Sequence, residues 1–169
     1  MKKADVWISA VLYMALGIIL LTLILAAGLP VIKKIKDKNT ALQTKDLMFQ
    51  LDKSIKAVYT QGPGSQRPIT LEVRRGLLTI DEVTDTIIWT FETSVLLSEP
   101  AIPIQEGNLL ILTQETGVEE NYQTTFTLDY ESILDISSSL ADISGTNRLM
   151  ITNTGSLPPD LPIITITQL

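Results

Sequence analysis

The most constraining feature of the sequence is an apolar run over residues 6–32, where twenty-seven consecutive residues carry no charged side chain. At about 1.5 Å of rise per residue, a helix of that length is longer than a hydrocarbon core of roughly 30 Å. A helix on the surface of a soluble core would carry polar residues along its outer face. The run therefore predicts a helix that lies in a membrane or in a bundle of similar helices.

A short basic leader, residues 1–4, precedes the run and contains Lys2 and Lys3. A cleaved secretory signal has an apolar region of about 7–15 residues, so we expect this longer helix to stay with the protein. Four further lysines, at positions 33, 34, 36 and 38, follow the run. Counting flanking lysines alone favours a cytoplasmic C-terminal part.

Two features inside the run predict its shape and its contacts. Gly28 and Pro30 lie close together, and a proline inside a helix removes a hydrogen bond and clashes with the preceding turn, so we expect a kink there. Small residues interrupt the bulky ones and would let neighbouring helices approach closely. We expect helix–helix assembly at Ala10, Ala15, Gly17, Ala26 and Ala27. The alternative is a single anchor that faces lipid.

An amphipathic stretch over residues 40–59 continues the helix. Its apolar residues recur at helical spacing, and its charged residues are expected on other faces. The apolar set is Met48, Leu51, Ile55 and Val58, and the charged set is Lys45, Asp52, Lys53 and Lys56. We therefore predict one long bent N-terminal helix over residues 5–60, ended by Gly62-Pro63-Gly64. The apolar stripe could dock on the protein's own head, pair with a neighbouring subunit, or do both.

Residues 61–169, here called the head, change to strand-like alternation. The fold class predicted is α+β, with a mainly antiparallel β-sandwich-like head. Trp89, Phe91, Phe126 and Tyr130 are expected in its core. The expected strands cover residues 68–74, 77–80, 86–92, 108–114, 121–130, 148–152 and 162–167, with a hairpin turn at 81–85 and a proline-rich turn at 157–162. We expect a loop or short helix over residues 132–143. The C-terminal segment is expected to form an edge strand that pairs within the head or with another subunit.

Composition excludes several classes of function. Residues 1–38 carry a net charge of +4, which leaves −10 for residues 39–169, so no basic face is available for nucleic acid. Neither histidine nor cysteine occurs, which removes the usual general base, thiol nucleophile and zinc ligands. We expect no enzyme, no cofactor and no metal.

Two acidic groups are candidates for hard-cation sites: Asp81, Glu82 and Asp85, and Asp129, Glu131 and Asp135. Carboxylate oxygens are suitable ligands for Ca²⁺, but neither group has the spacing of a calcium loop. Solvated acidic turns are the favoured interpretation.

The chain resembles the archaeal type IV pilin-like family in six features taken together. These are the leader pair Lys2-Lys3, the small residue Ala4, the acidic residue Asp5 that follows it, the long apolar helix, its amphipathic continuation and the acidic β head. This family comprises adhesion pilins and archaellins with a class III signal peptide. The resemblance covers residues 2–60 by pattern and the head by class. It implies that a prepilin-type peptidase cuts between Ala4 and Asp5. Ser9 stands where bacterial type IV pilins carry a glutamate, so the resemblance is to the archaeal members.

The resemblance implies a structural subunit of an extracellular filament. Its precursor would be anchored in the membrane, copies of the chain would assemble through the apolar helix on a pilus assembly platform, and the head would serve adhesion. Packing against neighbouring helices can replace lipid without exposing apolar surface to water. Lys33, Lys34, Lys36 and Lys38 would then face acidic residues of adjacent heads. The alternative is a signal-anchored monomer with an extracytoplasmic binding or assembly-accessory domain.

Overall fold

A computed structural model describes residues 2–118, 120–156 and 160–169, with side chains described for residue 7 and from residue 9 onward within those ranges. Within them the chain forms one α-helix and eight β-strands. Residues 157–159 of the expected proline-rich turn lie outside the described residues. The α+β class is confirmed: a long apolar N-terminal helix precedes a mostly antiparallel sheet.

Helix α1 runs over Lys2–Gln61 and ends where the sequence predicts the glycine–proline turn. Gly62 and Gly64 both have positive φ, a conformation that glycine adopts at little cost. The chain divides into two compact units, of which the first ends at Lys36 and the second, here called the C-terminal unit, is Asp37–Leu169. The C-terminal unit therefore contains the last part of α1 together with the whole sheet.

The eight strands form one sheet in the order β3-β4-β5-β2-β1-β7-β8-β6, and every neighbouring pair is antiparallel except β6 and β8. Because the strands lie in one sheet, the layer packed on its inner face is α1 and not a second sheet. The strands are β1 Gln66–Asp81, β2 Thr86–Thr93, β3 Ile104–Glu106, β4 Leu109–Glu115, β5 Tyr122–Asp129, β6 Asp135–Ser138, β7 Asp142–Asn153 and β8 Ile163–Gln168.

The core of the C-terminal unit joins the helix stripe to the inner face of the sheet. Met48, Leu51, Ile55 and Val58 are all buried, and they belong to one cluster with the sheet's inward residues. The stripe thus docks on the protein's own head, one of the options that the sequence left open. The four expected core aromatics are buried as predicted, with the rings of Phe91 and Phe126 in edge-to-face contact at 5.3 Å.

Four details of the fold differ from the sequence-based expectation. The strands expected at 68–74 and 77–80 are one strand, β1, with a register shift between Val73 and Leu78. The segment 132–143, expected as a loop or short helix, contains β6 and the start of β7. The expected C-terminal edge strand, β8, lies inside the sheet between β7 and β6. The short strand β3 has no counterpart among the expected strands. Strand partners far along the chain decide the first three, and periodicity within a segment does not report them. Strand β3 pairs with the adjacent β4, and its three residues are too few to show a periodicity.

Candidate functional site

The apolar segment is the first candidate site. Every described residue between Trp7 and Lys36 is exposed, apart from half-buried Gly28. Within the described residues one helix is long and apolar enough to cross a membrane, and none of its apolar window is buried inside the protein. The five proposed assembly residues are therefore exposed: Ala10, Ala15, Gly17, Ala26 and Ala27. This surface is available either to lipid or to other helices.

The leader and kink residues lie in the same helix. The backbone of Lys2, Lys3, Ala4 and Asp5 is helical, and their side chains lie outside the described part of the chain. Pro30 lies inside α1, which continues on both sides of it. No Cβ clash would arise at Gly17 or Gly28, where nothing lies within 4 Å. The expected kink at Gly28 and Pro30 and the cut after Ala4 stay predictions.

A buried carboxylate begins the attachment of α1 to the sheet. Asp37 is 2% exposed and accepts hydrogen bonds from the backbone N and the Oγ of Ser94, at 3.0 and 2.6 Å. Its other oxygen accepts from Arg75 Nη1 at 2.6 Å. Burial alone would raise the pKa of Asp37. The hydrogen bonds from Ser94 and Arg75 together lower it by more than burial raises it, so the net pKa lies below its usual 3.8. The carboxylate therefore stays charged and holds the first turn of the C-terminal unit against the end of β2.

A bulge in β1 directs Arg75 towards Asp37. Gly76 has φ +79°, and a Cβ at this position would lie 2.0 Å from the carbonyl oxygen of Thr90. Only glycine fits this close approach, and bulges of this kind re-aim the neighbouring side chain. The indole Nε1 of Trp89 donates to the carbonyl of Arg75 at 3.0 Å and satisfies a backbone group that the bulge leaves out of the ladder.

A second buried carboxylate attaches the middle of the helix. Asp52 Oδ1 accepts from the hydroxyl of Tyr130 at 2.9 Å and from Asn108 Nδ2 at 3.1 Å, while its Oδ2 accepts from Lys56 Nζ at 2.8 Å. Burial and the charge of Asp52 raise the pKa of Tyr130, so the phenol stays a donor. The expectation that Asp52 points away from the stripe is wrong, because it lies four residues after Met48 and three before Ile55, on the edge of the buried face.

The C-terminal end of α1 is attached through its backbone. The carbonyl of Val58 accepts from Ser65 Oγ at 2.7 Å and from Asn153 Nδ2 at 3.3 Å. The last carbonyls of a helix have no partner within the helix, so these two donors cap it. Asp37, Asp52 and Val58 thus anchor the helix to three different parts of the sheet.

Four carboxylates of the two acidic groups accept hydrogen bonds from the backbone. Asp81 Oδ1 accepts from the backbone N of Val83 at 2.9 Å, and Asp129 Oδ1 accepts from the backbone N of Glu131 at 3.1 Å, so both shape turns. Asp85 Oδ1 and Glu82 Oε1 accept from the backbone N of Ile136 and Ser138 on edge strand β6. In the part of the chain that the structure describes, no group of three or more potential ligands is arranged to hold a metal ion.

A groove of about 350 Å³ lies between α1 and β1 and is lined mainly by polar side chains. Arg74 crosses it, pairing with Glu72 at 2.9 Å and donating to Gln43 Oε1 at 3.2 Å. Its one cationic side chain is therefore already balanced by a neighbouring carboxylate.

Sequence reasoning missed the residues that attach the helix: Asp37, Arg75, Ser94, Asn108 and Asn153. For Asp37 one signal existed, since it lies four residues before Ala41 and eleven before Met48, on the buried helical face. The partners are distant along the chain and share no pattern with it.

The chain matches no protein-family profile, no curated protein and no solved structure. The structural features that bear on its function are therefore the exposed apolar segment and the C-terminal unit that holds the rest of the helix.

Proposed function

We propose that this protein is a structural subunit of an extracellular filament of the archaeal type IV pilus kind, anchored in the membrane as a precursor and assembled through its apolar helix. One observation carries the proposal. A single helix has an apolar half with exposed side chains and a second half that forms one layer of a β-sheet unit. A subunit that moves from lipid into a filament needs both halves.

The energy available for assembly is large. Burying on the order of 1,000 Å² of apolar surface per subunit would contribute about 25 kcal/mol before the costs of ordering and association. Neighbouring copies would supply that surface through the same segment, with the small residues at Ala10, Ala15, Gly17, Ala26 and Ala27 allowing close approach. The proposed partners of the protein are therefore copies of this chain, the membrane, a prepilin-type peptidase and an assembly platform.

The attachment of α1 to the sheet supports the same proposal. A filament subunit has to pass force between its buried helix and its exposed head. Buried polar contacts at Asp37, Asp52 and Val58 hold the helix of the C-terminal unit along its length, in addition to the apolar stripe. The β head would then face outward and serve adhesion or surface contact.

Two measurements test the proposal. Mass spectrometry of the protein from its own cell should find a mature chain that begins at Asp5, and electron microscopy of sheared cell surfaces should find it in fibres. A Lys2→Glu, Lys3→Glu variant should remain uncut and unassembled, whereas Lys53→Glu, which reverses one exposed lysine on the head-bound helix, should be cut and assembled.

A chain that begins at Met1 and never occurs in fibres would contradict the proposal. That outcome would support the membrane-anchored monomer with an extracytoplasmic binding or accessory domain. The lysines after the apolar run are consistent with an uncut, unassembled chain in one respect, because by topology rules they favour a cytoplasmic head.

A further inference from the structure

One end of the C-terminal unit is marked by Asp37, the first residue of that unit. Asp37 follows Ile32 by five residues, which span about 7.5 Å as helix and at most about 18 Å if fully extended. The polar headgroup zone on each side of a bilayer is itself about 5–7 Å thick. Whatever the angle at which the chain leaves the membrane, Asp37 and the residues bonded to it remain near the lipid surface.

Two exposed apolar side chains lie at this end. Leu96 follows Ser94, which binds Asp37, by two residues and is 47% exposed. Val118 is 64% exposed at the tip of the hairpin between β4 and β5. The hairpin projects past the end of β2, because Thr93 of β2 pairs with Tyr122 and Tyr122 pairs with Glu115.

The opposite end of the unit supplies a matched comparison. Val83 is 91% exposed at the tip of the hairpin between β1 and β2. It also has acidic neighbours, Glu82 and Asp85, just as Val118 has Glu115 and Glu120 nearby in the chain. The eight residues of β2 separate the two ends by about 26 Å at the usual rise per residue.

We infer that the end of the C-terminal unit that carries Leu96 and Val118 is a lipid-contact surface of the membrane-stored subunit. The inference rests on the membrane stage of the proposed function and names the surface that meets lipid there. A second copy is a poorer partner for this surface, because Glu115 and Glu120 of one copy would meet the same carboxylates of the other. Leu and Val at an interface of this kind bury apolar area among headgroups and upper acyl chains.

The absence of cysteine makes a direct test possible, since each single-cysteine variant has one thiol to label. The full chain would be reconstituted in phosphatidylcholine vesicles with and without nitroxide-labelled lipid, using the variants Leu96→Cys, Val118→Cys, Val83→Cys and Leu20→Cys. A fluorophore at positions 96 and 118 should lose most of its emission to the nitroxide lipid. The label at position 83 should keep nearly all of its emission, and the label at position 20, inside the apolar run, should be quenched strongly.

Quenching at position 20 with labels at 96 and 118 behaving like the label at 83 would overturn the inference and leave the proposed function intact. No quenching at position 20 would overturn the membrane stage itself. Emission at 118 that changes with the protein-to-lipid ratio but not with nitroxide lipid would mean that a second copy covers this end, which also overturns the inference.

Discussion

At the residue scale, Gly76 determines where Arg75 lies. A methyl group in place of its hydrogen would lie 2.0 Å from the Thr90 carbonyl and 2.7 Å from Cβ of Phe91. The bulge would have to open, and Arg75 would turn away from Asp37. One backbone position therefore controls a contact between a strand and a helix residue that is 38 positions away in the chain.

For Gly76→Ala we expect a loss of about 2–5 kcal/mol in the free energy of unfolding, from positive-φ strain and overpacking together. Gly107→Ala is the control, because Gly107 also has positive φ (+61°) but nothing lies within 4 Å of where its Cβ would stand, so about 1 kcal/mol is expected. Urea unfolding of the full chain in detergent micelles measures both. Equal losses in the two variants would show that the contact with β2 is unimportant.

Asp37 should make the free energy of unfolding depend on pH in the acid range. Its pKa is lowered below 3.8 in the folded protein, so its contribution is fully present above pH 3.8 and is lost as the pH falls from there towards the folded-state pKa. Asp37→Asn should cost about 1–3 kcal/mol at pH 7, and the difference from the natural chain should shrink below pH 3.8. Asp46→Asn, at an exposed position of the same helix, should change stability by no more than about 0.5 kcal/mol at pH 7. Urea unfolding at pH 7 and below pH 3.8 measures these differences. An equal loss of unfolding free energy in Asp37→Asn at both pH values would contradict this account.

At the scale of elements, β6 shows how the sheet treats an edge. The amide of its first residue, Asp135, donates to the carbonyl of Pro162 just before β8, and the amide of Ser139, just after β6, donates to the carbonyl of Ile166 in β8. The amides of Ile136 and Ser138 point the other way and are capped by Asp85 and Glu82 of the β1–β2 hairpin. Capped amides cannot pair with another strand, so the hairpin protects the edge from other chains.

Replacing both caps, as Asp85→Ala with Glu82→Ala, should speed amide exchange over residues 135–139, because two donors lose their acceptors. Hydrogen-exchange mass spectrometry measures the change. Asp81→Ala with Asp129→Ala also removes two carboxylates, one from the end of β1 and one from the end of β5. Their hydrogen bonds are local to their own turns, so exchange in β6 should stay as in the natural chain. Unchanged exchange in the first variant would mean that the caps do not protect β6.

At the scale of the whole molecule, charge is divided between the two parts of the chain. Residues 1–38 carry +4 and residues 39–169 carry −10. In a filament the lysines after the apolar run would meet acidic heads of neighbouring copies, an arrangement that lowers the repulsion between heads.

Reversing Lys33, Lys34, Lys36 and Lys38 to glutamate should therefore block filament assembly while leaving the subunit in the membrane. Electron microscopy of cell surfaces and membrane fractionation measure the two outcomes. Lys53→Glu is the control for added negative charge on the head-bound helix. Filaments that assemble normally from the reversed chain would exclude a role for these lysines in assembly.

The sequence by itself determined the long helix, its end at Gly62-Pro63-Gly64, the buried stripe from Met48 to Val58 and most of the strands, because each of these depends on periodicity or turn chemistry within a few residues. Only the tertiary structure decided that the strands form one sheet, that β8 lies inside it, and that Asp37 and Asp52 are buried. Those outcomes depend on partners far along the chain, such as Ser94 for Asp37 and Tyr130 for Asp52, and local spacing carries no record of which distant group satisfies a buried charge.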